Sequence, residues 1–184
     1  MSAPTLAVFA SVDGPDAAER AGMLSAAGTY LARHGANLVV MAIDRAVCTP
    51  VITSAHAAGA DVTIIACNAF TAPRALTRVT LERIEDPTAR MRRVITMSDA
   101  LIGLPGGMAS TAALFRTWAL AGGGKSGKPV ALLNHMRAFE VMRGFSNDVF
   151  AHAFADAERF VLVAETIDEL WSRLDRVLKA QNAG

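Results

Sequence analysis

Short apolar runs alternate with longer amphipathic stretches along most of the chain. Leu6-Ala7-Val8-Phe9-Ala10 is apolar at every position, which predicts a strand covered on both faces. Similar strands are predicted at Asn37–Ile43, Asp61–Cys67, Ala100–Leu104, Val130–Leu133 and Phe160–Ala164. Between them apolar residues recur every three or four positions, the period of a helix. The helices so predicted are Pro15–His34, Thr49–Ala58, Pro87–Ser98, Met108–Ala121, His135–Ala155 and Thr166–Ala180. Gly35 and Gly59 stand where the first two should stop, and Gly144 is a breaking point in the fifth. Asn68–Glu85 follows neither period.

Regular strand–helix alternation requires crossover connections. It predicts a single α/β domain over residues 1–184, doubly wound and Rossmann-like, with a mostly parallel sheet and helices on both faces. In such sheets ligands lie beyond the carboxyl ends of the strands, where the strand order reverses. Three loops occupy that edge: Ser11–Pro15, Asp44–Thr49 and Pro105–Thr111.

Composition narrows the function classes. The 184 residues carry 18 Lys+Arg against 17 Asp+Glu, a net charge of +1 that gives no electrostatic ground for nucleic-acid binding. No apolar run approaches the roughly 18 residues of a membrane span, so no membrane partner is expected. Met1–Pro4 holds no basic segment ahead of the first apolar run, and a cytoplasmic protein is the expectation. Cys48, Cys67 and the four histidines stand at no metal-ligand spacing. Neither a metal nor a resident cofactor is expected, and both cysteines read as small buried residues.

Two glycine-rich segments invite a phosphate reading. Gly122 to Lys128 approaches the G-x-x-x-x-G-K-[ST] loop, but Pro129 stands where a Mg-binding hydroxyl is required. It also runs from a helix into a strand, the reverse of the order that loop needs, and so reads as a connector. Leu104-Pro105-Gly106-Gly107-Met108-Ala109-Ser110-Thr111 follows a strand and opens a helix. Its glycines would let a ligand approach the backbone, the first N–H groups of the helix favour an anion, and Ser110 and Thr111 can cap the helix or bond phosphate oxygens.

At this segment the sequence resembles the LOG ("Lonely Guy") family, also labelled lysine-decarboxylase-like. The family pattern P-G-G-x-G-T-x-x-E reads here Pro105-Gly106-Gly107-Met108-Ala109-Ser110-Thr111-Ala112-Ala113. Ser98–Leu104 is similar to the family's strand into that turn, Lys128–Asn134 to its next strand, Thr166–Leu170 to its last helix start, and Leu6–Phe9 with Leu31–Gly35 to its first unit. The resemblance implies a Rossmann-like fold, phosphoribohydrolase chemistry on nucleoside 5'-monophosphates, and a dimer. A homodimer also fits helix Met108–Ala121, because Leu114, Phe115, Trp118 and Leu120 cannot share one side.

Most of the family's active-site residues are replaced. The motif glutamate falls on Ala113, the Gly-Thr pair on Ala109-Ser110, and the family's Arg-Lys pair on Arg90-Met91. The Gly-rich run after the second strand falls on Met41-Ala42-Ile43, and the Gly-Ser-Ser after the first on Ser11-Val12-Asp13. N-glycosidic cleavage builds positive charge on the sugar and wants a carboxylate to stabilise it or activate water. Ala113 supplies none, and Met41 to Ile43 fill space that glycines leave open. Asp13 and Asp44 are the candidate substitutes, and each also reads as an ordinary turn residue. Arg90 reads either as a phosphate-facing arginine, the one catalytic residue carried over, or as part of a solvated face with Arg92 and Arg93.

Three functions follow as expectations. One is a protein that binds a phosphorylated small molecule or nucleotide with the hydrolase activity lost, or that carries a cofactor as the related molybdenum cofactor carriers do. Its site would comprise Ser11, Asp13, Gly106, Gly107, Ser110 and Thr111. The second is an active N-glycosidase with a relocated acid. The third is a non-catalytic subunit pairing with an active paralogue.

Overall fold

A computed structural model of the chain describes residues 3–13, 16–122, 128–144 and 161–182. Its elements, in chain order, are β1 (Thr5–Phe9), α1 (Ala17–Arg33), β2 (Asn37–Met41), α2 (Thr49–Ala57), β3 (Val62–Ala66), β4 (Thr80–Arg83), α3 (Pro87–Met97), β5 (Ala100–Gly103), α4 (Met108–Leu120), β6 (Val130–Leu133), β7 (Val161–Ala164) and α5 (Ile167–Asn182). The seven strands form one sheet in the order β4-β3-β2-β1-β5-β6-β7, and every pairing is parallel. The doubly wound α/β class is as the sequence predicts.

Alternation along each strand divides the core in two. Leu6 and Val8 of β1 face one cluster, with Leu24 and Leu31 of α1, Ile52 of α2 and Leu174 of α5. Ala7 and Phe9 face the other, with Val94 of α3 and Leu114 and Trp118 of α4. Strands buried on both faces need apolar residues at successive positions, which is why the inner ones read as continuous apolar runs.

Two segments differ from the sequence reading. The stretch that follows neither period contains β4, an edge strand paired only with β3. Its burial is partial and three of its four residues are polar: Glu82 pairs with Arg93 at 2.9 Å, and Arg83 donates to the carbonyls of Cys67, Asn68 and Phe70 at 2.8–3.1 Å. An edge strand needs no continuous apolar run, so periodicity does not reveal it. His135 does not open a long helix. His135–Arg137 is a short 3-10 turn in which Met136 and Arg137 have φ of 51° and 62°, and helical structure resumes only over 140–144. The remainder of the predicted helix to Ala155, Phe160 and most of the Gly122–Lys128 connector lie outside the described residues.

Candidate functional site

Strand order reverses between β1 and β5, the switch point beyond which ligands lie in doubly wound sheets. The β1 loop and the Pro105-Gly106-Gly107 turn are packed together there. Gly107 N–H donates to Ser11 Oγ at 2.6 Å. A Cβ on Gly106 would lie 2.7 Å from the Ser11 backbone nitrogen and 2.6 Å from Ser110 Oγ, so no side chain fits. A Cβ on Gly107 would lie 3.3 Å from Ser11 Oγ and 3.8 Å from Asp13 Oδ2. The turn brings Ser11, Asp13, Gly106, Gly107 and Ser110 to one place.

The hydroxyls of the motif do not cap the helix. Gly107 is the N-cap of α4 and makes no side-chain cap bond. Ser110 Oγ and Thr111 Oγ1 instead donate back to the Gly107 carbonyl, at 2.8 and 3.2 Å. The first N–H groups of any α-helix lack intrahelical partners, so those at the start of α4 keep their donor capacity.

A cavity of about 290 Å³ lies on the β2 side of this turn. Val8, Phe9, Val40, Met41, Ile43 and Val47 make it largely apolar, and Ser11, Asp13, Asp44 and Ser110 supply its polar rim. Met41 and Ile43 thus stand in the crevice where the family pattern places glycines. Beyond them Asp44 and Arg45 adopt φ of 48° and 62° in a tight turn closed by the Ile43–Ala46 pair, whose two N–H···O bonds measure 2.9 and 2.8 Å. Consecutive non-glycine residues in the left-handed region are costly, and the closing bonds hold them there.

Cys48 is buried and lines the same cavity. Burial pushes its thiol up to about 11. The Val51 backbone opposes that shift, and the Asp13 charge adds to it. The thiol therefore stays protonated at neutral pH and is not an activated nucleophile. Cys67 is half-buried, which differs from the buried reading made for both cysteines.

The structure sets Arg90 apart from this group. Its guanidinium donates to the Ile84 and Glu85 carbonyls at 2.9 and 2.6 Å, and it lines a separate cleft with Asp44, Arg45, Cys67 and Glu85. Met91 is buried, whereas Arg92 and Arg93 are exposed. Ala113 is half-buried and packs against the α4-side core.

Sequence reasoning did not single out two further features. A second cavity of about 300 Å³ lies on the β6 side of the turn, walled by Pro105, Gly106, Asp16, Glu19, Arg20 and His135 among others. His135 stands two residues after the end of β6, and its place at the carboxyl edge was the available signal. Asn134 is fully buried at the end of β6, and Nδ2 donates to Glu140 Oε2 and Glu165 Oε1, both at 2.9 Å. Its Oδ1 accepts from Phe139 N–H at 2.8 Å, so one amide ties together the edges of β6, β7 and the intervening turn. Among the described residues, no three His, Cys, Asp or Glu side chains are grouped to hold a metal, and no helix is long and apolar enough to cross a membrane.

Comparison with known proteins places this geometry. The family described as "Possible lysine decarboxylase" matches residues 49–174. The chain belongs to that family. Among solved structures it is similar to TM1055, with a TM-score of 0.70 and 19% identity over 96% of this chain and 99% of that one. It is similar also to the Moco carrier protein of Chlamydomonas reinhardtii (TM-score 0.69, 20% identity, 96% and 98% covered). The molybdenum cofactor binding protein of the phototrophic bacterium Rippkaea orientalis resembles it as well (0.67, 18%, 97% and 99%). At these identities the likeness is one of fold. No curated protein matches the chain.

Proposed function

We propose that this protein binds a phosphorylated small molecule, of nucleotide type, in the cavity bounded by the loops after β1 and β2 and the start of α4, and that it has lost the hydrolase chemistry its family motif serves. The observation that carries the reading is the cavity at the strand switch point, which opens beside the uncapped start of α4. It joins an apolar chamber to hydroxyls and to helix N–H donors, the combination a phosphorylated heterocycle needs. That two structural neighbours are by name a carrier and a binding protein of the molybdenum cofactor supports a carrying role over a chemical one.

Loss of chemistry follows from position 113. Ala113 offers no carboxylate, and it is half-buried against apolar neighbours where an acid would be poorly solvated. Met41 and Ile43 occupy crevice space besides. Removing a positioned acid–base group typically costs about 10²–10⁴ in rate. Ala113→Glu alone therefore restores no base release, because the crevice stays crowded. A thermal-shift series with AMP and other nucleoside monophosphates tests binding, since a ligand taken up only by the folded state raises its melting temperature. Chromatography of the same mixtures follows free base. Turnover of about 1 per second or faster would overturn the loss of activity.

One observation favours a second reading. The Asp13 carboxylate overhangs Gly107, and a relocated acid would stand there. In that case Asp13→Asn abolishes base release and Asp44→Asn does not. A homodimer is proposed alongside the main reading. Leu114 and Trp118 are turned into the core, while Met108 and Leu120 on the same helix are 84% and 37% exposed. Light scattering at tens of micromolar tests it, and a monomer refutes it.

A further inference from the structure

The separate cleft that Arg90 lines has a volume of about 630 Å³ and lies over the carboxyl ends of β2, β3 and β4, away from the β1–β5 switch point. Three carboxylates, from Asp44, Glu85 and Asp86, and two guanidiniums, from Arg45 and Arg90, line it together with half-buried Cys67. Of these residues the proposed nucleotide site includes only Asp44, which lines both cavities.

The charged groups of the cleft are not satisfied by one another. Among the described residues, Asp44 and Arg45 form an ion pair neither with each other nor with a third side chain. Arg90 is held through Nη1 alone, on the Ile84 and Glu85 carbonyls at 2.9 and 2.6 Å. Its guanidinium is thereby fixed in place while Nε and Nη2 keep their hydrogens for another acceptor. Glu85 accepts from the Asn68 N–H through Oε2 at 2.9 Å, and Asp86 caps the Ala89 N–H through Oδ1 at 2.6 Å. Oε1 of the one and Oδ2 of the other accept from no described residue.

The turn that carries the two unpaired charges is strained. Aspartate tolerates the left-handed region, but arginine rarely enters it, and Arg45 has φ of 62°. Glycine would make the same turn without that cost. Strained non-glycine residues cluster at ligand clamps and active sites. Here the strained turn places a carboxylate and a guanidinium, one after the other, in the wall of a single cleft.

Unpaired groups of both signs suit a zwitterion. A guanidinium donates two parallel N–H bonds to a carboxylate, and an ammonium donates to carboxylate oxygens. Three carboxylates against two guanidiniums leave an excess of one negative charge, which favours a ligand of net positive charge. We propose that this cleft binds a cationic α-amino acid. Its carboxylate is held by Arg45 and Arg90, its α-ammonium by Asp44, and its basic side chain by the open oxygens of Glu85 and Asp86. The site is independent of the nucleotide reading, since neither a phosphate nor a helix N–H donor enters it.

Cys67 gives the cleft its own reporter, because Cys48 lines the other cavity. Calorimetry of the full chain with L-arginine measures affinity, and mass spectrometry follows alkylation of each cysteine by iodoacetamide. L-Arginine is expected to slow Cys67 alkylation in step with occupancy and to leave Cys48 unchanged. N-Acetyl-L-arginine lacks the ammonium, agmatine lacks the carboxylate, and L-glutamate has the wrong net charge. Each should bind about tenfold or more weakly, because each leaves a charged group of the cleft unpaired. Arg45→Gln and Asp44→Asn replace exposed residues, and asparagine suits the left-handed turn. Both should weaken L-arginine by about the same tenfold factor. Agmatine binding as tightly as L-arginine overturns the proposal, because a plain acidic patch would do the same. Binding that leaves Cys67 alkylation unchanged, or that neither substitution weakens, overturns the placement. No binding of L-arginine overturns the site outright, and AMP titrated into the same protein decides the nucleotide reading separately. The wild-type ligand series decides even where a variant does not fold.

Discussion

Gly106→Ala isolates what the glycine-rich turn does for the fold from what it does for a ligand. Gly106 is not in the left-handed region, so its backbone is one that alanine adopts freely. On that ground alone the substitution should stabilise by about 0.4–1 kcal/mol through the unfolded chain. The added methyl would, however, lie 2.7 Å from the Ser11 backbone nitrogen, which cannot rotate away. Forcing an extra methyl into a packed site costs about 1–3 kcal/mol. The net expectation is a loss of about 1–2 kcal/mol, or a Tm lower by about 2–8 °C for a chain of this size. Gly107→Ala is the internal control. Its nearest neighbour, Ser11 Oγ at 3.3 Å, is a side-chain atom able to give way, so stability should change by less than about 1 kcal/mol. The same methyl stands over the proposed phosphate path, so nucleotide affinity should fall. Urea denaturation of both variants, read with calorimetric titration, separates the two effects. A Gly106→Ala protein as stable as the parent would refute the loop contact. A Gly107→Ala protein with unchanged nucleotide affinity would refute the anion placement.

Three other outcomes are expected. Asn134→Asp puts a carboxylate between Glu140 and Glu165 in a fully buried position, and should cost more than about 3 kcal/mol at neutral pH. The loss should shrink as the pH is lowered and the new acid takes up a proton, and a difference under about 1 kcal/mol in urea melts would contradict it. Tyr30 donates to Asp168 Oδ1 at 2.6 Å, and this bond, then partial burial and the Asp168 charge, push its hydroxyl up to about 12. The stability tied to that proton is complete below pH 10 and is lost as pH rises from about 10 to about 12, so a Tyr30→Phe protein should show a flatter stability profile over that window. Cys48, with its thiol pushed up to about 11, should be alkylated far more slowly than half-buried Cys67 at pH 8, and equal labelling rates by mass spectrometry would contradict its burial.

Periodicity along the chain was sufficient for the fold class, because strands buried on both faces and helices buried on one imprint different apolar spacings within a few residues. The same local signals marked the loops after β1, β2 and β5 as the working edge, and the P-G-G turn as its centre. β4 escaped because an edge strand is held by one neighbour and tolerates Thr80, Glu82 and Arg83. The reason for glycine at 106 was also hidden, since its constraint comes from Ser11, brought alongside by the pairing of β1 with β5. Arg90, which the sequence left open between a phosphate-facing arginine and a solvated face, donates to the carbonyls of Ile84 and Glu85, neighbours created by the β4–α3 connection. The Ser11–Gly107 bond spans 96 positions of sequence. Contacts at such separations depend on which strands lie side by side, and so do the two chambers they enclose. Local spacing carries the elements and their order along the chain; only the assembled sheet brings distant loops within a hydrogen bond of each other.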